Sequence, residues 1–139
     1  LTGARFSGNL GEKKNWNSGT YSGPQTSQMN PGDRFGLMFV GNGTVKQVLE
    51  GKKTPLFSLE TANPDDIFHV GQIAGVMGEG GVFAMEDLRP EHRWFDGDYN
   101  DVIFQVTGAI GTANPIDDLI LKDWRGEPLW ETIMTELSI

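Results

Sequence analysis

The sequence has no cysteine and, among its 139 residues, only 11 lysines and arginines. The absence of cysteine excludes disulfide bonds, thiolate metal sites and cysteine nucleophiles. The 19 acidic residues outnumber the basic ones, so the formal net charge is −8. Such a composition disfavours nucleic acid and anionic lipid, which both need basic partners, and it attracts cations.

Long apolar runs are missing as well. No stretch approaches the roughly 20 apolar residues that a membrane helix needs, so we expect no membrane insertion. Leu1 leads directly into polar sequence, no signal peptide is evident, and we expect any secretion signal to lie elsewhere. There is no internal repeat with a period of about 20–50 residues, and the length suits one compact domain.

Glycine, in contrast, is abundant at 19 residues, which is typical of short strands joined by tight turns. Six segments have the composition or alternation of strands: 34–40, 44–49, 56–59, 68–73, 82–85 and 101–106. The Asn42-Gly43 turn predicts a hairpin between the first two segments, whereas 78–81 is predicted to be a loop. We therefore predict an all-β protein with a β-sandwich or jelly-roll-like fold.

The two ends of the chain differ from this pattern. Residues 1–32 are rich in Gly, Ser and Asn, which predicts an arm or short irregular strands. Residues 33–110 are the predicted sandwich core. In 111–139, apolar residues recur at helical spacing after Pro128. We predict that this extension contains a short C-terminal helix that packs on the domain.

The most informative segment is an acidic turn late in the chain. Asp96, Asp98 and Asn100 stand at alternate positions, and Asp101 follows. Oxygen atoms spaced in this way can converge on a hard cation, which requires about six to eight oxygen ligands. The spacing matches the opening of an EF-hand loop, but the later Gly and Glu of that loop are missing. A solvated acidic turn is the alternative interpretation.

The available donors favour one metal. Cysteine is absent and only His69 and His92 offer nitrogen, so ligation through oxygen favours Ca²⁺ over Zn²⁺. Mg²⁺ prefers to keep several waters and is a weaker candidate. A bound ion would remove the repulsion between clustered carboxylates and would tie Glu86 and Asp87 to the acidic turn.

Two consecutive motifs give the chain a family resemblance. Phe83–Leu88 and Asp96–Phe104 together resemble the hallmark of a bacterial family, domain of unknown function 4114. Its pattern is an aromatic-rich strand ending in Glu-Asp-Leu, an acidic loop, Asp-x-Asp-aromatic-Asn-Asp and an apolar strand. Weaker similarity in Arg34–Thr44 and Leu56–Val70 extends the resemblance over about 33–106.

The resemblance implies a secreted, calcium-binding β-sandwich, often one module of a large adhesin-like surface protein. It implies six metal-ligating positions, the last of them a possible addition: Glu86, Asp87, Asp98, Asn100, Asp101 and Asp96. The loop between the two motifs departs from the family pattern, because it carries bulky and basic side chains. An aromatic ring beside an ion suits sugar binding, so Trp94 and His92 are predicted ligand-binding residues.

The leading hypothesis is a calcium-binding interaction module at the cell surface that contacts a glycan, a protein or neighbouring copies of itself, and is not an enzyme. The alternative is a structural subunit of a filament, surface layer or particle, in which the glycine-rich arm makes subunit contacts. A further alternative is a small hydrolase that uses Glu86 and Asp98 as paired carboxylates. The metal hypothesis accounts for more of the acidic residues than hydrolysis does. The sequence has no Gly-x-Ser-x-Gly elbow and no phosphate-binding glycine loop.

Overall fold

A computed structural model describes residues 25–74, 79–126, 128, 130, 131 and 135. The chain divides into two compact units, described separately below: Phe35–Lys122 forms one, and Leu1–Arg34 with Asp123–Ile139 forms the other. Most of the predicted N-terminal arm, residues 1–24, lies outside the described residues. None of the described helices is long and apolar enough to cross a membrane.

The larger unit is built from two antiparallel sheets, which confirms the all-β prediction. A small sheet pairs β1 (Met38–Phe39) with β2 (Leu56–Phe57). The main sheet has the order β3 (Val70–Ala74), β4 (Glu79–Met85) and β5 (Val102–Ile110). Face-to-face packing of sheets into a sandwich stays a prediction.

The predicted hairpin after β1 is wrong, because Val45–Leu49 forms a short helix, α1. Thr44 and Gln47 make a capping box: the Gln47 amide donates to Thr44 Oγ1 (3.3 Å), and the Thr44 amide donates to Gln47 Oε1 (2.9 Å). These bonds satisfy backbone donors that a helix start would leave open. β1 therefore pairs with β2, at Met38–Phe57, instead of with the following segment.

The prediction of a loop at 78–81 is also wrong for residues 79–81, which the structure describes as the beginning of β4. Gly80 has a φ of +72°, a value that glycine adopts without steric strain, and the register of β4 against β5 shifts there. Glycine in this segment thus permits a bulge within a strand and does not end the strand.

Strand β4 supplies both faces of the core, because successive side chains of a strand point to opposite sides. Phe83 and Met85 pack in one buried cluster with Leu56 and Val70. Between them in sequence, Ala84 packs on the other side with Tyr99 and Ile116. The Phe83 ring stacks on Phe104 of β5 at a centroid distance of 5.4 Å.

Two 3-10 turns complete the larger unit, at Glu60–Ala62 and Ile116–Asp118. The second brings the fully buried Ile116 against β3. A Cβ atom on Gly71 would stand 2.8 Å from Ile116 Cδ1, so this strand position requires glycine for close packing. The sheet is thereby covered on the face from which Ala84 projects.

In the smaller unit, the described tail residues Pro128, Trp130, Glu131 and Thr135 are helical, in agreement with the predicted C-terminal helix. Trp124 is buried and meets the Trp130 ring edge to face, with centroids 5.4 Å apart. This geometry is one that aromatic pairs favour.

Candidate metal centre

The register of β4 against β5 assembles the site. Met85, the last residue of β4, lies opposite Val102, the first residue of β5. The next residue beyond each, Glu86 and Asp101, therefore leaves the same end of the sheet. Antiparallel pairing thus makes neighbours of two carboxylates that stand 15 positions apart in the sequence.

Glu86 lies at the centre of the acidic cluster and is only 1% exposed. Its Oε1 atom accepts a hydrogen bond from the Leu88 amide (3.1 Å). Its Oε2 atom is buried and has no hydrogen-bond partner. An unsatisfied buried acceptor is costly, so this oxygen is where a ligand would be stabilising.

Asp101 connects the two strand ends. Its Oδ2 atom accepts a hydrogen bond from the Asp87 amide at 2.8 Å. This bond holds the chain that leaves β4 beside the chain that enters β5, and both Asp87 and Asp101 are half-buried.

The acidic turn is organised by Asp98 and Asn100, which are both buried. Asp98 Oδ1 accepts from the Asn100 amide (3.1 Å), and Asp98 Oδ2 accepts from Asn100 Nδ2 (2.7 Å). Asn100 therefore fixes the orientation of the Asp98 carboxylate.

The backbone of the turn is held in uncommon conformations. Gly97 has a φ of +67°, and Tyr99 has a φ of +58°, a value that is rare for a bulky residue. The Tyr99 hydroxyl donates to the carbonyl of Phe68 (2.7 Å), and its ring is buried in the core. This anchoring holds the strained residue in place, and such strain is often found at functional sites.

The acidic side chains form two sets that share one member. Carboxylate oxygens of Glu86, Asp96 and Asp98 lie within 4.8 Å of one another, as do those of Glu86, Asp87 and Asp101. The structure thus brings together all five predicted carboxylates, and Asn100 is bonded to one of them.

Burial and mutual repulsion oppose ionisation of these groups. Burial, reinforced by the charges of Asp96 and Asp98, raises the pKa of Glu86 to about 7, although the Leu88 amide acts in the opposite direction. Burial and the charge of Asp87 raise the pKa of Asp101 to about 8. The pKa of Asp87 is also raised, first by burial and then by Asp96. At neutral pH the cluster therefore binds protons or a positive partner more favourably than water-exposed carboxylates would.

His69 is fully buried and connects Asp65 to the end of β4 next to the cluster. Its Nε2 lies 3.1 Å from Asp65 Oδ2, and its Nδ1 lies 3.1 Å from the Glu86 carbonyl oxygen. The Glu86 amide in turn donates to the His69 carbonyl (3.0 Å). Asp65 was not predictable from the sequence as the partner of His69, since nothing local indicates which acidic residue meets the ring.

The two predicted ligand-binding residues lie in the loop between the motifs. Trp94 is 59% exposed, and the guanidinium carbon of Arg93 lies 4.5 Å from its ring centroid. His92 is exposed and lines an open cavity together with Asp87 and Leu88. Trp94 is not among the residues that line this cavity.

The sequence profile of the family called domain of unknown function 4114 (DUF4114) matches residues 29–109. The chain belongs to the DUF4114 family. No curated protein and no solved structure shows significant similarity to the chain. The DUF4114 match includes β1, the acidic turn and nearly all of β5, so the whole acidic cluster lies within the family segment.

The raised pKa values in the acidic cluster predict an unusual pH dependence of the stability of this DUF4114 protein in the absence of metal. Glu86 and Asp101 have ordinary pKa values of 4.5 and 3.8, and folding raises them to about 7 and about 8. Between about pH 4 and 8 the folded chain thus binds more protons than the unfolded chain, and its stability falls as pH rises.

We expect the melting temperature in EDTA to be several degrees higher at pH 5 than at pH 8, because 1 kcal/mol moves the midpoint of a domain by about 2–8 °C. Glu86→Gln should weaken this dependence. Glu91→Gln, a change at an exposed residue paired with Arg89, should retain it. A melting temperature that rises with pH in EDTA would contradict the assignment.

The turn itself is tested by replacing glycine. In Gly97→Ala the new methyl group would stand 2.7 Å from Leu121 Cδ1, while the Leu121 amide donates to the Gly97 carbonyl (2.8 Å) and holds the segments together. Gly51→Ala is the matched control. Gly51 has a φ of +69°, but the added Cβ atom would have no neighbouring atom within 4 Å.

Gly51→Ala should lower the free energy of unfolding by about 1–2 kcal/mol, which is the cost of the left-handed conformation alone. Gly97→Ala should lower it by about 1 kcal/mol more than that, because of the added steric overlap. Urea denaturation in EDTA measures both values, and equal losses would show that the turn is not closely packed.

Proposed function

We propose that this chain is a calcium-binding interaction module that acts outside the cell. The observation that carries the proposal is the unpartnered, buried Oε2 atom of Glu86, which lies among four further carboxylates. A buried anion without a compensating partner is strongly unfavourable, and a bound cation removes the penalty.

The donor set favours calcium. Every ligand candidate in the two carboxylate sets is an oxygen donor, which suits a hard cation. Ca²⁺ accepts six to eight oxygens in irregular arrangements, and the carboxylates can share this number with backbone carbonyls and water. Mg²⁺ demands near-octahedral geometry and gives up its waters reluctantly, so the crowded cluster suits it less well.

In this proposal the ion acts as a clamp. Its ligands come from the end of β4, the start of β5 and the turn between them, so binding fixes three segments at once. The loop 89–95 lies within this clamped region, because it connects Glu86 and Asp87 to the acidic turn. Calcium would therefore rigidify the segment that carries the exposed Trp94 ring.

The same loop supports a recognition role. It presents an exposed tryptophan whose ring contacts a guanidinium group, and its polar residues Arg89, Glu91 and His92 line a cavity. Aromatic faces next to hydrogen-bonding groups suit sugars, so we propose a glycan as the ligand. The proposal includes a secreted or cell-surface location. Calcium-binding modules outside cells commonly bind Ca²⁺ with a Kd of about 10⁻⁴–10⁻³ M.

Calcium addition should stabilise the protein. At 100 times its Kd the ion should add about 2.7 kcal/mol, which corresponds to roughly 10 °C in melting temperature for a domain of this size. The measurement is a melting curve in EDTA followed by addition of Ca²⁺, with Mg²⁺ at equal concentration for comparison.

Glu86→Gln should abolish most of the calcium-dependent shift, whereas Glu91→Gln should retain it. An identical melting temperature with and without Ca²⁺ in the unmodified protein would refute calcium binding at this cluster.

Glycan recognition is tested on an array of immobilised saccharides. We expect binding that EDTA abolishes and that Trp94→Ala reduces by tenfold or more, since loss of one stacked ring corresponds to at least about 1.4 kcal/mol. Phe35→Ala is a control at another exposed ring of the same unit and should leave binding unchanged. Binding that persists in EDTA would separate recognition from the metal.

A further inference from the structure

We propose that the acidic cluster binds two calcium ions side by side, with the Glu86 carboxylate shared between them. This inference rests on the proposed function and specifies the number and arrangement of the ions. It follows from how the carboxylate oxygens are grouped, from the buried Oε2 atom of Glu86 that has no hydrogen-bond partner, and from the charge of the cluster.

The grouping of the oxygens is the first argument. One set consists of Glu86, Asp96 and Asp98, and the other of Glu86, Asp87 and Asp101. Within each set one oxygen of each carboxylate lies within 4.8 Å of the other two, which is close enough for one ion to contact all three at a calcium–oxygen distance of about 2.4 Å. Among the described residues, the two sets do not merge into one set of five, so no single ion would contact all five carboxylates.

Glu86 has the coordination capacity to serve both sets. A carboxylate offers two oxygens with about four lone-pair directions. The Leu88 amide uses one direction on Oε1, and Oε2 is buried without a partner. The shared residue is only 1% exposed and has one buried oxygen, Oε2, that receives no hydrogen bond.

The charge of the cluster also favours two ions. The five carboxylates of the two sets carry a formal charge of −5 when ionised. One divalent ion leaves −3 in a cluster with two nearly inaccessible members, Glu86 and Asp98. Two divalent ions leave −1, which much reduces the repulsion that otherwise opposes ionisation.

The two sites should differ in affinity because their surroundings differ. Asp96 is exposed, so the ion between Asp96 and Asp98 has access to water ligands. Asp87 and Asp101 are half-buried and already joined by a hydrogen bond of 2.8 Å, which preorganises the second site. We expect the site at Asp87 and Asp101 to fill first.

The experiment is a stoichiometry measurement on the full chain. Equilibrium dialysis against Ca²⁺ and native mass spectrometry should both give two ions per unmodified chain. Asp96→Asn removes a carboxylate of one set and Asp101→Asn a carboxylate of the other, so each should reduce the number to one. Glu86→Gln should reduce it below one, and Asp118→Asn, a change at an exposed residue outside both sets, should leave it at two.

The possible outcomes separate this inference from the proposed function. One ion per unmodified chain, lost in both Asp variants, would overturn the shared two-ion site and leave calcium binding intact. No bound ion would overturn both. Two ions that persist in Asp96→Asn would also contradict the assignment. Asp96 is exposed, so that variant should fold even if Asp101→Asn does not, and circular dichroism checks this.

Discussion

The structure depends on one pairing, that of Met85 with Val102 across β4 and β5. It sets which residues leave the sheet together and so brings Glu86 beside Asp101. A slip of one residue would move every side chain of β5 to the opposite face, which would expose the Phe104 ring that stacks on Phe83. The apolar packing of the sheet therefore also fixes the geometry of the acidic cluster, although the two share no side chain.

The cluster is unfavourable when considered as protein alone. It combines a buried, unpartnered carboxylate oxygen, raised pKa values and a tyrosine in the left-handed region of backbone space. Each feature destabilises the folded chain, and natural proteins retain such combinations where a ligand or a function compensates. The hydrogen bond from Tyr99 to Phe68 holds the strained turn, and the contact between His69 and the Glu86 carbonyl holds the end of β4.

The sequence predicted the strands that carry strong local signals and missed what depends on competing ones. β-Branched and aromatic residues identified β5, and the acidic spacing identified the ligand candidates. Val45, Val48 and Leu49 also look like a strand, but the Thr44–Gln47 capping box favours a helix there, and that signal is present in the sequence. The sequence did not predict that Glu86 belongs to both carboxylate sets. This depends on the long-range register of β4 and β5 and not on spacing along the chain.

The arrangement explains why a single loop can carry both proposed roles. Residues 86–101 begin and end in the acidic cluster, so an ion bound there would hold the two ends of this loop together. Between them stand exposed side chains, among them Trp94, whose ring contacts the guanidinium group of Arg93. Closing the loop at its base reduces the conformational entropy that the loop would otherwise lose when a partner binds. Under the proposed function, calcium therefore contributes to recognition even if it never touches the ligand, because it holds together the two ends of the loop that carries Trp94.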